Sequence, residues 1–217
     1  MRVYAIALAL SHAGISWYIG AMNKHLDIAL RPRPHEPLRP APRKYTAADI
    51  FFFLEAGLID EKAKFELLNG EIVPMSPKGN HHEVAREILL EWLFGTWIAP
   101  FRLMVEHTLT LGDNLIVEPD FIIYDRATRI QDRKLTGADL RLVIEVADTS
   151  LVYDLNEKAD IYAKAGALEY WVVNAISRDI RVHRSSTASG WSNVQVVVVG
   201  QPVAPRCAPA ANFVMPK

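Results

Sequence analysis

The chain has 217 residues, half of them hydrophobic and 23% charged, with a formal net charge of -1 and an isoelectric point near 6.7. That length supports one substantial core, and that charge balance excludes a globally basic protein, so any contact with nucleic acid must come from a local patch. The single cysteine, Cys207, can neither close an internal disulfide nor complete a cysteine-rich zinc cluster, which fits a reducing, cytoplasmic compartment.

Residues 3–10 form a short apolar run behind Arg2, faintly like a signal peptide. The basic region is a single residue, however, His12 follows closely, and the run falls short of the roughly 18 to 20 apolar residues of a spanning helix. No membrane association is expected, and mass analysis of the native N terminus would separate a secreted protein from a cytoplasmic one. Residues 31–43 read RPRPHEPLRPAPR, a proline density that favours extended chain over packed structure. The expected organisation is an appendage and Pro-rich linker over 1–43, a folded domain over 44–200 and a Pro/Ala-rich tail over 201–217.

Within the domain, Thr46 is placed to cap a helix over 47–56, with Gly57 as its stop. The run FELLNGEIVPM (65–75) predicts a hairpin around Asn69-Gly70, a pair suited to positive φ. Residues 83–98 predict an amphipathic helix with Val84, Ile88, Leu89 and Trp92 on one face. Strands are expected over 102–111, 115–124 and 140–146, the first two joined at Gly112-Asp113-Asn114. A helix over 154–164 ends at Gly166, and strands over 170–175 and 179–184 flank a turn at Ser177-Arg178. The fold class is α/β (α+β), a mixed β-sheet flanked by helices with an N-terminal helix and hairpin.

Two acids interrupt this pattern. Asp120 sits among Ile116, Val117, Phe121, Ile122 and Ile123, and Glu145 among Leu142, Val143, Ile144 and Val146. A lone buried carboxylate is costly unless paired. If the two strands are neighbours the acids converge, and like charges that close call for a hard, oxygen-liganded cation such as Mg²⁺. On that reading, removing either acid from the metal-free protein should leave folding intact or improved. The alternative is that each acid forms a buried salt bridge or sits at a strand end in water. Lys158 shares or borders an apolar helix face with Leu155, Ile161 and Tyr162, so it either snorkels outward or reaches inward to a negative centre, and spacing alone favours the first. Arg126, Arg129, Arg133, Lys134 and Arg141 form a basic cluster able to meet phosphates, or a solvated loop with interleaved acids.

The ordered motifs FELLNGEIVPMSP, His81, EPDFIIY, LVIEVADTS, YDLNEKADIYAKAG and LEYWVVN together resemble the Uma-type restriction endonucleases of the PD-(D/E)XK nuclease superfamily, over roughly residues 45–184. The resemblance implies a restriction-endonuclease-like fold, a divalent metal (Mg²⁺, with Mn²⁺ as substitute) and hydrolysis of nucleic-acid phosphodiester bonds, most naturally DNA. It implies Asp120 and Glu145 as metal-binding acids, Glu66 as an upstream metal-binding acid in preference to Glu71, Lys158 as the catalytic lysine and His81 as the family's histidine. Ala147 stands where the superfamily pattern has lysine, which is why the role passes to Lys158. Nucleases of this fold often act as homodimers. The competing reading is a non-catalytic nucleic-acid-binding or assembly module that retains the fold.

Overall fold

A computed structural model describes residues 44–96 and 100–217. The expectations placed on residues 1–43, and the helix end expected at 97–98, lie outside the described residues. The first element, α1 (Ala47–Glu55), begins with the expected cap: Asp49 N donates to Thr46 Oγ1 at 3.1 Å, and the Asp49 carboxylate accepts from Thr46 N at 2.8 Å. This reciprocal box satisfies two otherwise orphaned donors at the helix start. The hairpin β1 (Phe65–Leu68) and β2 (Glu71–Pro74) turns at Asn69 and Gly70, both at positive φ (51° and 83°).

Next come α2 (Asn80–Thr96), β3 (Phe101–Val105), β4 (Leu109–Gly112), β5 (Leu115–Val117) and β6 (Phe121–Asp125), then a 3-10 turn (Gly137–Asp139) and β7 (Leu140–Ala147). Helix α3 (Leu151–Tyr153) runs through a π-helical stretch (Asp154–Lys158) into α4 (Ala159–Ala165), and Gly166 closes it at φ 88°. The chain finishes with β8 (Glu169–Asn174), β9 (Ile180–Thr187), β10 (Gly190–Val197), β11 (Pro202–Val203) and β12 (Phe213–Val214).

Two of the expected strands are broken. In place of one strand over 102–111 the chain forms β3 and β4, with Glu106 between them at φ 49°. In place of one over 115–124 it forms β5 and β6, parted at Pro119, which has no backbone N–H to give a ladder. The halves join different sheets: β3 and β6 belong to a six-stranded sheet of order β10-β9-β8-β7-β6-β3, and β4 and β5 to a four-stranded sheet of order β2-β1-β5-β4. Asp120 therefore lies at the joint, one residue before β6, and not inside a strand.

The six-stranded sheet is antiparallel except where β7 and β8 run parallel, joined by the α3–α4 crossover. Side chains alternate across it. Leu142, Ile144 and Val146 of β7 face the core formed with Ala85, Leu89 and Leu93 of α2. Val143 and Ala147 face the other way, toward Ala159 and Tyr162 of α4. Residues 201–217, expected as a tail, supply β11, β12 and the buried Val203, Phe213 and Met215 to the α2-side core. The buried face of α2 is His82, Ala85, Leu89 and Leu93, a corrected phase that leaves Val84 exposed.

Candidate active site

The alternation in β7 aims Glu145 at the α3–α4 crossover. Lys158 meets it there: its Nζ lies 3.0 Å from Glu145 Oε1, 3.0 Å from Glu66 Oε1 and 3.7 Å from Asp154 Oδ1. Lys158 thus reaches inward and is only 6% exposed, and Glu66, Glu145 and Asp154 are as deeply buried. The π-helical stretch holds both Asp154 and Lys158, and such widened turns recur at functional sites. Tyr162 Oη donates to Glu145 Oε1 at 2.9 Å, Glu118 N donates to Glu66 Oε1 at 3.0 Å, and Ser150 Oγ donates to Asp154 Oδ2 at 2.6 Å. Asp154 Oδ1 is buried with no hydrogen-bond partner.

Asp120 approaches from the strand next door, where Phe121 of β6 stands opposite Ile144 of β7. Its Oδ2 accepts from Val146 N at 2.8 Å and lies 3.3 Å from His82 Nε2. Its Oδ1 lies 3.0 Å from Lys78 Nζ. Glu66, Lys78, His82, Asp120, Glu145 and Lys158 all line one cleft of about 300 Å³.

Of the residues singled out in the sequence, Asp120, Glu145, Lys158 and Glu66 come together here. His81 does not: it is exposed at the start of α2, and its neighbour His82 is the histidine against Asp120. Helical phase explains the difference, because His82 shares its face with Ala85, Leu89 and Leu93. Glu71 is exposed on β2 and pairs with Lys44 at 3.6 Å. The basic cluster lies outside the cleft. Arg133 grips Asp139 through two 2.7 Å hydrogen bonds, Arg129 pairs with Asp132, Arg141 pairs with Asp125, and Lys134 stacks on the Phe51 ring. Besides His82, sequence reasoning missed Lys78 as a site residue. Its place in a Pro-Lys-Gly loop carries no periodicity, and only its position just before the histidine-bearing helix pointed to the cleft.

The charges do not balance locally. Three buried carboxylates share the Lys158 ammonium, and burial, reinforced by Asp154, Asp120 and Glu66, pushes Glu145 up to about 8 despite Lys158. Burial likewise raises Asp154. For Lys158, burial works to lower the pKa, but Glu145, Glu66 and Asp154 outweigh it and hold the ammonium charged. Asp120 goes the other way: burial would raise it, yet His82, Lys78 and the Val146 amide together hold it down to about 2.

Among the described residues no group of three or more His, Cys, Asp or Glu forms a ready metal cage, and the Lys158 ammonium takes the centre of one acidic cluster. The donor set still fits one kind of ion. Mg²⁺ binds through one or two carboxylates, water and substrate phosphate and not through dedicated all-protein cages. Asp120, one residue before β6, and Glu145 on the neighbouring β7, with surplus negative charge behind them, match that requirement.

This mixed sheet, with buried acids around a lysine of the crossover helix, has a counterpart among solved structures. A structure described as "a putative nuclease belonging to DUF820", from Anabaena variabilis, superposes with a TM-score of 0.57 at 13% identity, covering 72% of this chain and 88% of that one. No curated protein matches the sequence. The family model described as "Uma2: Putative restriction endonuclease" matches residues 49–213, and the chain belongs to that family.

Proposed function

We propose that this protein is a cytoplasmic, metal-dependent endonuclease that hydrolyses phosphodiester bonds of DNA. The observation that carries this reading is the excess of buried carboxylate over ammonium in the cleft, with Glu145 pushed up to about 8. Such a centre is strained until a further cation arrives. A non-catalytic module would leave that excess without a purpose.

Asp120 and Glu145 are the residues that would hold Mg²⁺ or Mn²⁺, with Glu66 completing the acidic wall. When bound, the ion would polarise the phosphate and acidify a nearby water. Lys158, fixed by Glu145 and Glu66 at 3.0 Å each, presents a positive charge to the negative charge that gathers on the phosphate in the transition state. Tyr162, through its hydrogen bond to Glu145 Oε1, fixes which carboxylate oxygen faces the lysine. Among the described residues no helix is long and apolar enough to cross a membrane.

The test is incubation of the purified protein with plasmid, single-stranded DNA and RNA, with and without Mg²⁺ or Mn²⁺. Cleavage of DNA that needs the metal and disappears in Asp120→Ala and Glu145→Ala supports the proposal. Persistence of cleavage in those variants, or no cleavage of any substrate by a metal-loaded protein, would sink it.

A further inference from the structure

Lys78 lies in the loop between β2 and α2 and lines the cleft. Besides its 3.0 Å approach to Asp120 Oδ1, its ammonium pairs with Glu106. Glu106 in turn is held by Arg86 Nη2 at 3.3 Å and sits at φ 49°, a left-handed conformation that a non-glycine residue keeps only when its surroundings enforce it. The two oxygens of Asp120 are thus used differently. Oδ2 is fixed by Val146 N and His82 in the protein interior, whereas Oδ1 faces a loop lysine whose side chain is 28% exposed.

We propose that Lys78 is a tethered cation that stands on Asp120 Oδ1 in the place of a divalent ion and leaves it when the ion binds. The inference rests on the metal-site reading above. An ion on Oδ1 at the roughly 2.0–2.1 Å of a Mg²⁺–oxygen bond would crowd an ammonium on the same atom, and in a partly buried site two like charges repel far more than in water. Lys78 can give way because it hangs from a loop at the cleft mouth, whereas Lys158 is locked among three acids. Glu106 then keeps the released ammonium at the mouth, facing any anion that enters.

Calorimetric titration of Mn²⁺ alone, without nucleic acid, into the metal-free wild type, Lys78→Met, Lys78→Arg and Asp120→Asn tests this. A competing internal state weakens apparent affinity by the fraction of molecules that are competent, so if Lys78 is off Oδ1 about a tenth of the time, its removal tightens binding roughly tenfold. Lys78→Arg, which keeps the charge, should bind as weakly as wild type. Metal-free Lys78→Met should melt lower than wild type and gain more on adding Mn²⁺. Unchanged or weaker Mn²⁺ binding by a folded Lys78→Met, with binding abolished in Asp120→Asn, would overturn the role of Lys78 and leave the metal site standing. Absence of Mn²⁺ binding in both wild type and Lys78→Met would overturn both. Should Lys78→Met not fold, acylation of Lys78 in the wild type by an amine-reactive reagent decides the matter. Mn²⁺ should raise its labelling several-fold, and unaltered labelling refutes the exchange.

Discussion

At the scale of single residues, the two central acids are not equivalent, although sequence reasoning treated them alike. Asp120 is a satisfied carboxylate, held down to about 2, whereas Glu145 is a strained one, pushed up to about 8. Glu145→Gln should therefore leave the metal-free protein as stable or more stable, while Asp120→Asn should lower its melting temperature by removing the negative charge that Lys78 and His82 face. The pH dependence follows with opposite signs. A raised folded pKa means the native state binds the extra proton, so the Glu145 contribution is present below pH 4.5 and is lost as pH rises toward 8. The Asp120 contribution is present above pH 3.8 and is lost as pH falls through about 2. Metal-free melting curves should decline between pH 5 and 8 in wild type and flatten in Glu145→Gln. Lys158→Ala strands Glu66, Glu145 and Asp154 together and should cost about 3–5 kcal/mol by urea denaturation. An unchanged midpoint would show that the buried acids do not depend on the lysine. The acids were legible because charge amid apolar runs is conspicuous, although of the two only Glu145 lies inside a strand. Lys158's inward reach was not, because helical spacing cannot distinguish a lysine that snorkels from one that is captured.

At the scale of elements, the 3-10 turn and α4 meet more closely than any side chain allows. A Cβ on Gly137 would lie 2.0 Å from Ala165 O, so Gly137→Ala must push the turn off the end of α4, at a cost of about 3 kcal/mol. The same α3–α4 crossover carries Lys158 and Asp154, and the shift should also weaken Mn²⁺ binding in calorimetry. A variant with unaltered stability would show that the turn yields freely. Local signals predicted the capped α1 and the Asn69-Gly70 hairpin well, since each depends on neighbours within a few residues. They failed at the breaks between β3 and β4 and between β5 and β6. The breaks fall on Glu106-His107-Thr108 and Glu118-Pro119-Asp120, short interruptions with β-like apolar runs on either side, and only the sheet that receives each half decides that the strand ends there. Local signals placed Ile88, Leu89 and Trp92 of α2 correctly against the core but put Val84 on that face, where the structure has His82 and Ala85.

At the scale of the whole molecule, the C-terminal residues are structural. Glu169, fully buried, accepts from Arg206 N at 2.6 Å, Trp171 Nε1 at 2.7 Å and Arg184 Nε at 2.8 Å, so the last segment is bolted to β8 and β9. Truncation after residue 200 removes the buried Val203, Phe213 and Met215 and leaves Glu169 without one of its donors. It should abolish cooperative thermal unfolding. Deletion of residues 1–43, where prolines bar a sheet interior, should leave the melting temperature nearly unchanged. Composition marks residues 201–217 as a Pro/Ala-rich tail, and only long-range packing reveals that they belong to the core.

The break that places Asp120 has a mechanical consequence. The two direct strand-to-strand crossings between the sheets, at Glu106 and at Pro119, lie side by side, with Glu106 N donating to Asp120 O at 3.1 Å, and a third link runs from β2 through α2 to β3. Glu66 rides on the smaller sheet, while Asp120, Glu145 and Lys158 are anchored to the larger one or its crossover. The ion pair of Glu66 with Lys158 therefore spans the two sheets, whereas the hydrogen bond from Val146 N ties Asp120 to the larger one. The seating of one sheet against the other thus sets how many negative charges the lysine must answer.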